Sequence, residues 1–203
     1  MIARLLGTGF VLLVLGACSA NAPVPEDRFY ELSPAMPARS SEVYLTGGLS
    51  IARIGSDALR GGRAILYRDA LRPLELGRFH YEFWAEKPPQ MIQLALLDTL
   101  RQSGIADRVQ ADGRRSQFRY ELDMKVRRFE ALVDAGRTRA DVELEAVLSM
   151  AGSEGPIWTK IYRQQIDARP GDMHALADAM QQGLEQIFEQ LIGDLKAAGA
   201  NAD

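Results

Sequence analysis

The chain has 203 residues, of which 47% are hydrophobic and 25% are charged, a composition typical of one globular domain with its own core. Its 24 basic and 27 acidic residues give a net charge of −3, so no strong positive field attracts nucleic acid. One cysteine and two histidines, His80 and His174, are too few for an intrachain disulfide or a His/Cys zinc cage.

The N-terminal residues have the composition of a bacterial secretory signal peptide. One positive charge precedes an apolar run over residues 5–15, which is shorter than the ~20 residues of a membrane-spanning helix. The run ends in Leu-Gly-Ala-Cys, which resembles a lipobox and contains the only cysteine. We therefore expect a signal peptide over residues 1–17 and lipidation of Cys18, which would cap a thiol otherwise at risk in an oxidising compartment. By resemblance to bacterial lipoprotein sorting signals, Ser19, rather than Asp, after the cysteine implies sorting to the outer membrane. The alternative is a generic secretory peptide with an incidental cysteine.

The mature chain is predicted to be a tether followed by one domain. Residues 18–27 are small and polar with two prolines, a composition that suits a linker between a lipid and a fold. The domain is predicted over residues 28–198. A disordered tail is predicted over residues 199–203.

Short strands and one helix are predicted in the first half of the domain. Segments with high strand propensity cover residues 28–32, 43–54, 64–67 and 78–84. Pro88-Pro89 then predicts a helix start, the apolar residues that follow have spacings of three and four, and Gly104 predicts its end. A short strand around residues 105–109 follows.

A long hairpin and a final helix are predicted in the second half. Apolar and polar residues alternate strictly over 118–126, and the phase slips at Arg127-Arg128, which predicts a bulge. A turn at 134–136 leads to a second alternating strand over 140–150. A third strand over 157–166 precedes an amphipathic helix that begins near Asp172. The pattern predicts an α+β fold, with a largely antiparallel sheet and two helices packed on one face.

Few residues in the sequence have the pattern of a catalytic site. A Ser/His/Asp arrangement would need His80 or His174 as its base, and each is more simply explained as a surface or half-buried histidine. The glycine pairs at 47–48 and 61–62 lack the sequence context that binds phosphate. Asp141, Glu143 and Glu145 alternate along one strand and are expected to form a solvated face. We therefore predict a protein without enzymatic activity, cofactor or bound metal.

Charge is distributed unevenly along the chain. Residues 114–139 carry 8 basic and 4 acidic side chains, whereas residues 140–203 carry 4 basic and 11 acidic ones. If the two regions form opposite flanks, copies can dock head to tail and close a ring. Alternatively, the two strands pair within one subunit and neutralise each other. The sequence leaves both arrangements open.

Several segments resemble the ABC-type transport auxiliary lipoproteins, the PqiC-like family. They are Ile-Leu-Tyr-Arg at 65–68, Phe-Trp-Ala-Glu-Lys-Pro-Pro at 83–89 and the helix that follows. The Trp-Ala-Glu step before the helix is the most specific, although Lys87 is inserted where common members pass directly to proline. The strand at 30–32, the long strand at 118–129 and the last helix extend the resemblance over nearly the whole mature chain.

The resemblance implies a lipid-anchored protein on the periplasmic face of the outer membrane. It would serve as a non-enzymatic auxiliary or docking component of an MCE-type system, with an inner-membrane ABC transporter, that moves lipids or other hydrophobic molecules between membranes. Two other classes stay open: an assembly or pilot lipoprotein of another envelope machine, and an envelope hydrolase that uses His80.

Five residues are candidates for contact with another chain. Tyr81, Phe83 and Trp84 are expected at an oligomer or partner contact, with core packing as the alternative. Arg127 and Arg128 are expected at the basic side of a homo-oligomeric ring contact. This expectation combines the uneven charge with the family resemblance.

Overall fold

The computed structural model describes residues 25–35, 37–113 and 117–201. The predicted signal peptide and Cys18 lie outside this part of the chain. Within it there are eight strands and two helices. In chain order they are β1 Arg28–Tyr30, β2 Leu49–Ile51, β3 Ala64–Asp69, β4 Gly77–Trp84, α1 Pro88–Ser103, β5 Val109–Ala111, β6 Tyr120–Asp134, β7 Arg137–Met150, β8 Pro156–Ala168 and α2 Met173–Ala200.

The eight strands form one sheet organised around β6. One edge of β6 pairs antiparallel with β7 along its whole length, and β7 pairs antiparallel with β8. The other edge of β6 is shared, because its first residues pair with β2 and its last residues pair with β3. Beyond these two neighbours, β5 pairs with β2, and β4 and then β1 continue from β3. The sheet therefore divides into two arms on that side of β6.

The α+β class is confirmed, but the prediction of a largely antiparallel sheet is wrong. The sheet is mixed: β1–β4, β2–β5, β2–β6 and β3–β6 are parallel pairs, and β3–β4, β6–β7 and β7–β8 are antiparallel. Adjacent hairpin strands can be recognised in the sequence by the short turn between them. Parallel partners need a crossover connection and are distant in sequence. The local pattern therefore revealed the hairpins and missed the parallel pairs.

Both helices pack on the same face of the sheet. Helix α1 starts at Pro88-Pro89 and ends at Gly104, whose φ of 66° is the left-handed conformation that glycine adopts easily. Helix α2 begins after Asp172, whose side chain accepts a hydrogen bond from the Ala175 N–H. The predicted apolar stripe of α2 is buried against β7 and β8 in a core that also includes α1 and β6. In the described ranges, neither helix is both long and apolar enough to cross a bilayer.

A polar contact fixes the second half of α2 on β8. Asp194 accepts hydrogen bonds from Lys160 Nζ and from the Tyr162 hydroxyl, both at 2.6 Å. Burial, together with this hydrogen bond, raises the pKa of Tyr162. Partial burial opposes ionisation of Asp194, yet its two donors hold its pKa below the ordinary value. The contact therefore favours a charged Asp194 and a neutral Tyr162.

The end of α2 extends further than the sequence indicated. The predicted tail began at residue 199, whereas residues 199 and 200 lie in the helix. Gly199 packs directly on the carbonyl of Tyr44, and a Cβ at this position would overlap that backbone atom. The helix end is thus held against the segment that precedes β2.

Removal of side-chain volume from the buried stripe of α2 should destabilise the fold. Leu184 is fully buried, so Leu184→Ala should lower the free energy of unfolding by about 2–5 kcal/mol. Leu94 on α1 is 63% exposed, and the matched Leu94→Ala change should stay within about 0.5 kcal/mol. Urea unfolding followed by circular dichroism measures both values. Equal losses would show that α2 does not pack on the sheet through this stripe.

Candidate interaction surface

The face of the sheet opposite the helices, here called the outer face, is charged at its centre. Successive strand residues point to opposite faces, so the polar half of the alternating pattern in β6 and β7 lies there. Ten side chains form a connected group of ion pairs, here called the outer-face cluster. Its members are Arg60, Arg68, Arg127, Arg128, Arg163, Asp57, Glu130, Asp141, Glu143 and Glu145.

Glu130 is the most buried acid of the outer-face cluster, with no exposed side-chain surface. Arg60 Nη2 and Arg68 Nε each donate a hydrogen bond to one of its carboxylate oxygens at 2.7 Å. A buried charge is stable only when it is paired and hydrogen-bonded. These two arginines therefore connect the loop before β3, and β3 itself, to the middle of β6.

Asp141 is the second buried acid and is 1% exposed. Arg163 on β8 donates two hydrogen bonds of 2.8 Å to it, from Nε and from Nη2, the bidentate geometry that makes arginine–carboxylate pairs strong. This pairing raises the pKa of Arg163. The expectation of a solvated acidic face is therefore wrong for Asp141, because arginines from neighbouring strands cover its carboxylate.

Arg127 and Arg128 belong to the outer-face cluster. The predicted bulge is confirmed as a register shift between Val126 and Arg128. Arg127 hydrogen-bonds Glu143 at 2.9 Å and Glu145 at 2.7 Å, which raises the pKa of Arg127. Arg128 lies 3.3 Å from Glu143 and 3.7 Å from Asp141. Of the two arrangements that the sequence left open, the structure shows neighbouring strands that neutralise each other within one subunit.

The three aromatic candidates in β4 lie in different environments. Trp84 is in the core, with its ring centroid 5.0 Å from that of Phe129, so the packing alternative holds for this residue. Phe83 is half-buried and lies 5.9 Å, centroid to centroid, from Phe29 of β1. Tyr81 is 44% exposed. Only Tyr81 is positioned to meet another molecule with much of its ring.

Tyr81 lies at a backbone irregularity within β4. Ala64 of β3 pairs with Phe83, and Leu66 pairs with Arg78, so β4 has more residues than β3 over the same length. Tyr81 lies within this extra segment at a φ of 61°, a left-handed conformation that is unusual for a bulky side chain. The exposed His80 precedes it. The alternation of residues 78–84 gave no signal of this bulge.

Sequence reasoning also missed the acid that fixes the outermost strand. Glu82 of β4 is almost fully buried. It accepts a hydrogen bond of 2.9 Å from the Tyr30 hydroxyl and forms an ion pair with Arg28, both from β1. Burial and the bond to Glu82 raise the pKa of Tyr30. Because these partners lie more than 50 positions apart, no spacing rule could have connected them.

In the described part of the chain, the His, Cys, Asp and Glu side chains form no group of three that could hold a metal ion. His174 lies in the first turn of α2, on the opposite side of the sheet from the outer-face cluster. Four of the five arginines of the cluster are hydrogen-bonded to carboxylates of the same chain, and Arg128 forms ion pairs with such carboxylates. The arrangement therefore serves to join strands of the sheet.

The two classes of acid on the outer face should respond differently to neutralisation. Glu130→Gln removes the carboxylate that pairs with Arg68 and one of the two carboxylates that pair with Arg60, and both arginines are largely buried. The change should lower stability by about 3–5 kcal/mol. Glu145 and its partner Arg127 are both partly exposed, so the matched Glu145→Gln change should cost about 0–1 kcal/mol. Urea unfolding at neutral pH compares the two variants. A loss of similar size in both would contradict the burial of Glu130.

Comparison with known proteins identifies one family and two solved structures with a similar fold. The family model described as "ABC-type transport auxiliary lipoprotein component" matches residues 30–192. A solved Xanthomonas campestris protein of the DUF330 family has a TM-score of 0.77 and 22% identity, with 86% of this chain and 98% of that chain covered. An uncharacterized protein has a TM-score of 0.63 and 13% identity, with coverage of 84% and 99%. These two likenesses show the fold alone. No curated protein sequence matches this one.

Proposed function

We propose, from the premise that this chain belongs to the ABC-type transport auxiliary lipoprotein family, that it is a non-enzymatic component of a transport system for lipids or other hydrophobic molecules. The match over residues 30–192 carries this proposal, because it spans most of the described domain. The chain acts beside an inner-membrane ABC transporter and an MCE-domain protein. It is anchored through Cys18 to the outer membrane and faces the periplasm.

The distribution of polar and apolar surface supports a docking role. The arginines and acids at the centre of the outer face already have partners within the chain. Exposed aromatic side chains lie instead on the arm that ends in β1, where Phe29 and Tyr81 are about half exposed. Aromatic residues are enriched among those that dominate binding energy at protein interfaces. We therefore place the partner contact at this arm, with Tyr81 as its centre.

The same contact is proposed to join copies of the chain into a closed homo-oligomer. Tyr81 and Phe83 supply apolar contact area there. Arg127 and Arg128 support this contact indirectly, because their ion pairs with Glu143 and Glu145 fix the shape of the outer face. They do not act as free cations. Since exposed ion pairs contribute only ~0–1 kcal/mol each, salt should change the oligomer weakly.

Lipid anchoring predicts that Cys18→Ala abolishes acyl labelling of the chain and either releases the domain or leaves an uncleaved precursor. Metabolic labelling with an alkyne fatty acid, followed by membrane fractionation, measures both effects. Ser19→Ala is the matched control and should keep the label and the outer-membrane location. Ser19→Asp should keep the label but shift the protein to the inner membrane. Unchanged labelling of Cys18→Ala would refute the anchor.

Contact through Tyr81 predicts that a tagged full-length chain recovers an MCE-domain protein and an ABC transporter from envelope membranes. Tyr81→Ser should lower that recovery roughly 5- to 30-fold, as for a contact residue worth about 1–2 kcal/mol. Leu94→Ser removes an even more exposed apolar side chain from α1 and should leave recovery unchanged. Light scattering on the same samples measures the oligomer. Components of an unrelated envelope machine, or equal recovery with both variants, would contradict the proposal.

A further inference from the structure

The loop between β3 and β4 presents two leucines to solvent. Leu71 is 84% exposed and Leu74 is 98% exposed, values close to those of an extended chain. A single exposed leucine on a protein surface is ordinary. Two of them at the tip of one seven-residue loop, over residues 70–76, form a small apolar projection.

Hydrogen bonds within the chain hold this loop in shape. The Ala70 N–H donates to the Val133 carbonyl at 2.8 Å, which fixes the start of the loop on the last residues of β6. Two successive turns follow, because Arg72 donates its N–H to Asp69 and Glu75 donates its N–H to Arg72. Ordered turns therefore direct the leucines outward.

Charged side chains close the base of the loop without giving it a net charge. Arg68 Nη1 donates to the Pro73 carbonyl at 2.5 Å, while its Nε binds Glu130. Arg72 pairs with Glu75 at 3.4 Å. The outer-face cluster thus extends to the loop and supports it, and the tip itself is apolar.

The loop lies at the end of the sheet toward which the N-terminal segment leaves the domain. β1 runs parallel to β4, so the chain before Arg28 points toward the start of β4, directly after the loop. Arg28 pairs with Glu82, five positions along β4 from Gly77, which is at most about 17 Å. The ten residues from Cys18 to Arg28 can span up to about 35 Å when extended. A lipid at Cys18 can therefore reach the level of the loop.

We propose that Leu71 and Leu74 insert into the headgroup region of the membrane that holds the lipid anchor. The proposal rests on the proposed function for the anchor itself. Two leucines offer far less area than the ~800 Å² per partner of a stable protein interface, but a small apolar tip suits shallow insertion among lipid headgroups. The contact is weak alone and acts because the tether keeps the loop near the bilayer at high effective concentration.

Two points of attachment fix the orientation of the domain. With the loop on the bilayer, the turn between β6 and β7 also faces the membrane, and the end of α2 points away from it. The first residues of β6 then face the aqueous space. A partner from the opposite membrane would meet that end.

The test uses the full lipidated chain with a fluorophore on one introduced cysteine. Acylation of Cys18 leaves only the new thiol to react. Leu74→Cys is the probe position and Leu94→Cys is the matched control on α1. Each protein is reconstituted into phosphatidylethanolamine and phosphatidylglycerol vesicles with or without brominated lipid, and quenching is measured. We expect the label at position 74 to be quenched at least about twofold more than the label at position 94, as insertion to the headgroup depth requires.

Equal quenching at the two positions would overturn the proposal. Protection of position 74 in whole envelopes, without quenching in protein-free vesicles, would assign the loop to a protein partner and would also overturn it. Failure of the anchor is detected separately, since an unacylated Cys18 takes up a second fluorophore. In that case, flotation of the Cys18→Ser chain with vesicles, compared with the same chain carrying Leu71→Asp and Leu74→Asp, decides the role of the loop. Equal flotation would then overturn the proposal.

Discussion

The buried carboxylates of Glu130 and Asp141 are the constraint on which the outer face depends. Both lie on the side of the sheet opposite the two helices. A carboxylate that no other side chain covered would stay in contact with water there and would lose no hydration free energy. Both are nevertheless buried, because arginines from the preceding loop, from β3 and from β8 lie over them. Each arginine joins a strand to the centre of the sheet. The two faces are therefore held by different forces, an apolar core on one and hydrogen-bonded ion pairs on the other.

This arrangement explains why uneven charge in the sequence does not produce a charged surface of one sign. The cations of β6 and the acids of β7 lie side by side in one antiparallel pair. The bulge at Arg127-Arg128 places two cations near Glu143. The exposed apolar side chains available to other molecules include those of the aromatic arm that ends in β1 and the leucines of the loop after β3. The residues that hold the sheet together are thus different from the residues that are proposed to contact partners.

The sequence predicted those features of the fold that are local. Strict alternation gave β6 and β7, the slip in phase gave the bulge, and the apolar stripe of α2 gave its buried side. The parallel pairs were missed because β2 and β3 meet β6 only through the tertiary fold. The burial of Glu130 was missed for the same reason, since its arginines come from residues 60 and 68. At the candidate contact, the sequence grouped Tyr81 with Trp84, but the backbone bulge in β4 separates them.

The family resemblance and the structure together assign a role to the most specific motif. Trp84 packs on Phe129 in the core, and the Pro88-Pro89 pair begins α1 a few residues later. The motif therefore fixes the junction between the sheet and the first helix. Contact with partners is instead proposed for exposed residues outside this motif, such as Tyr81 and Leu74.

The most direct test of the account is a charge swap between Arg127 and Glu145. If this pair acts within one subunit, the chain with both Arg127→Glu and Glu145→Arg restores the ion pair in reverse. Compared with the single Arg127→Glu variant, it should recover part of the lost stability, since Glu143 still faces position 127, and it should keep the wild-type oligomer and co-purified proteins. A swapped chain that folds normally but loses its oligomer or partners would show that the arginine meets an acid on another molecule. That result would contradict the central claim that the outer-face charges are satisfied within the chain.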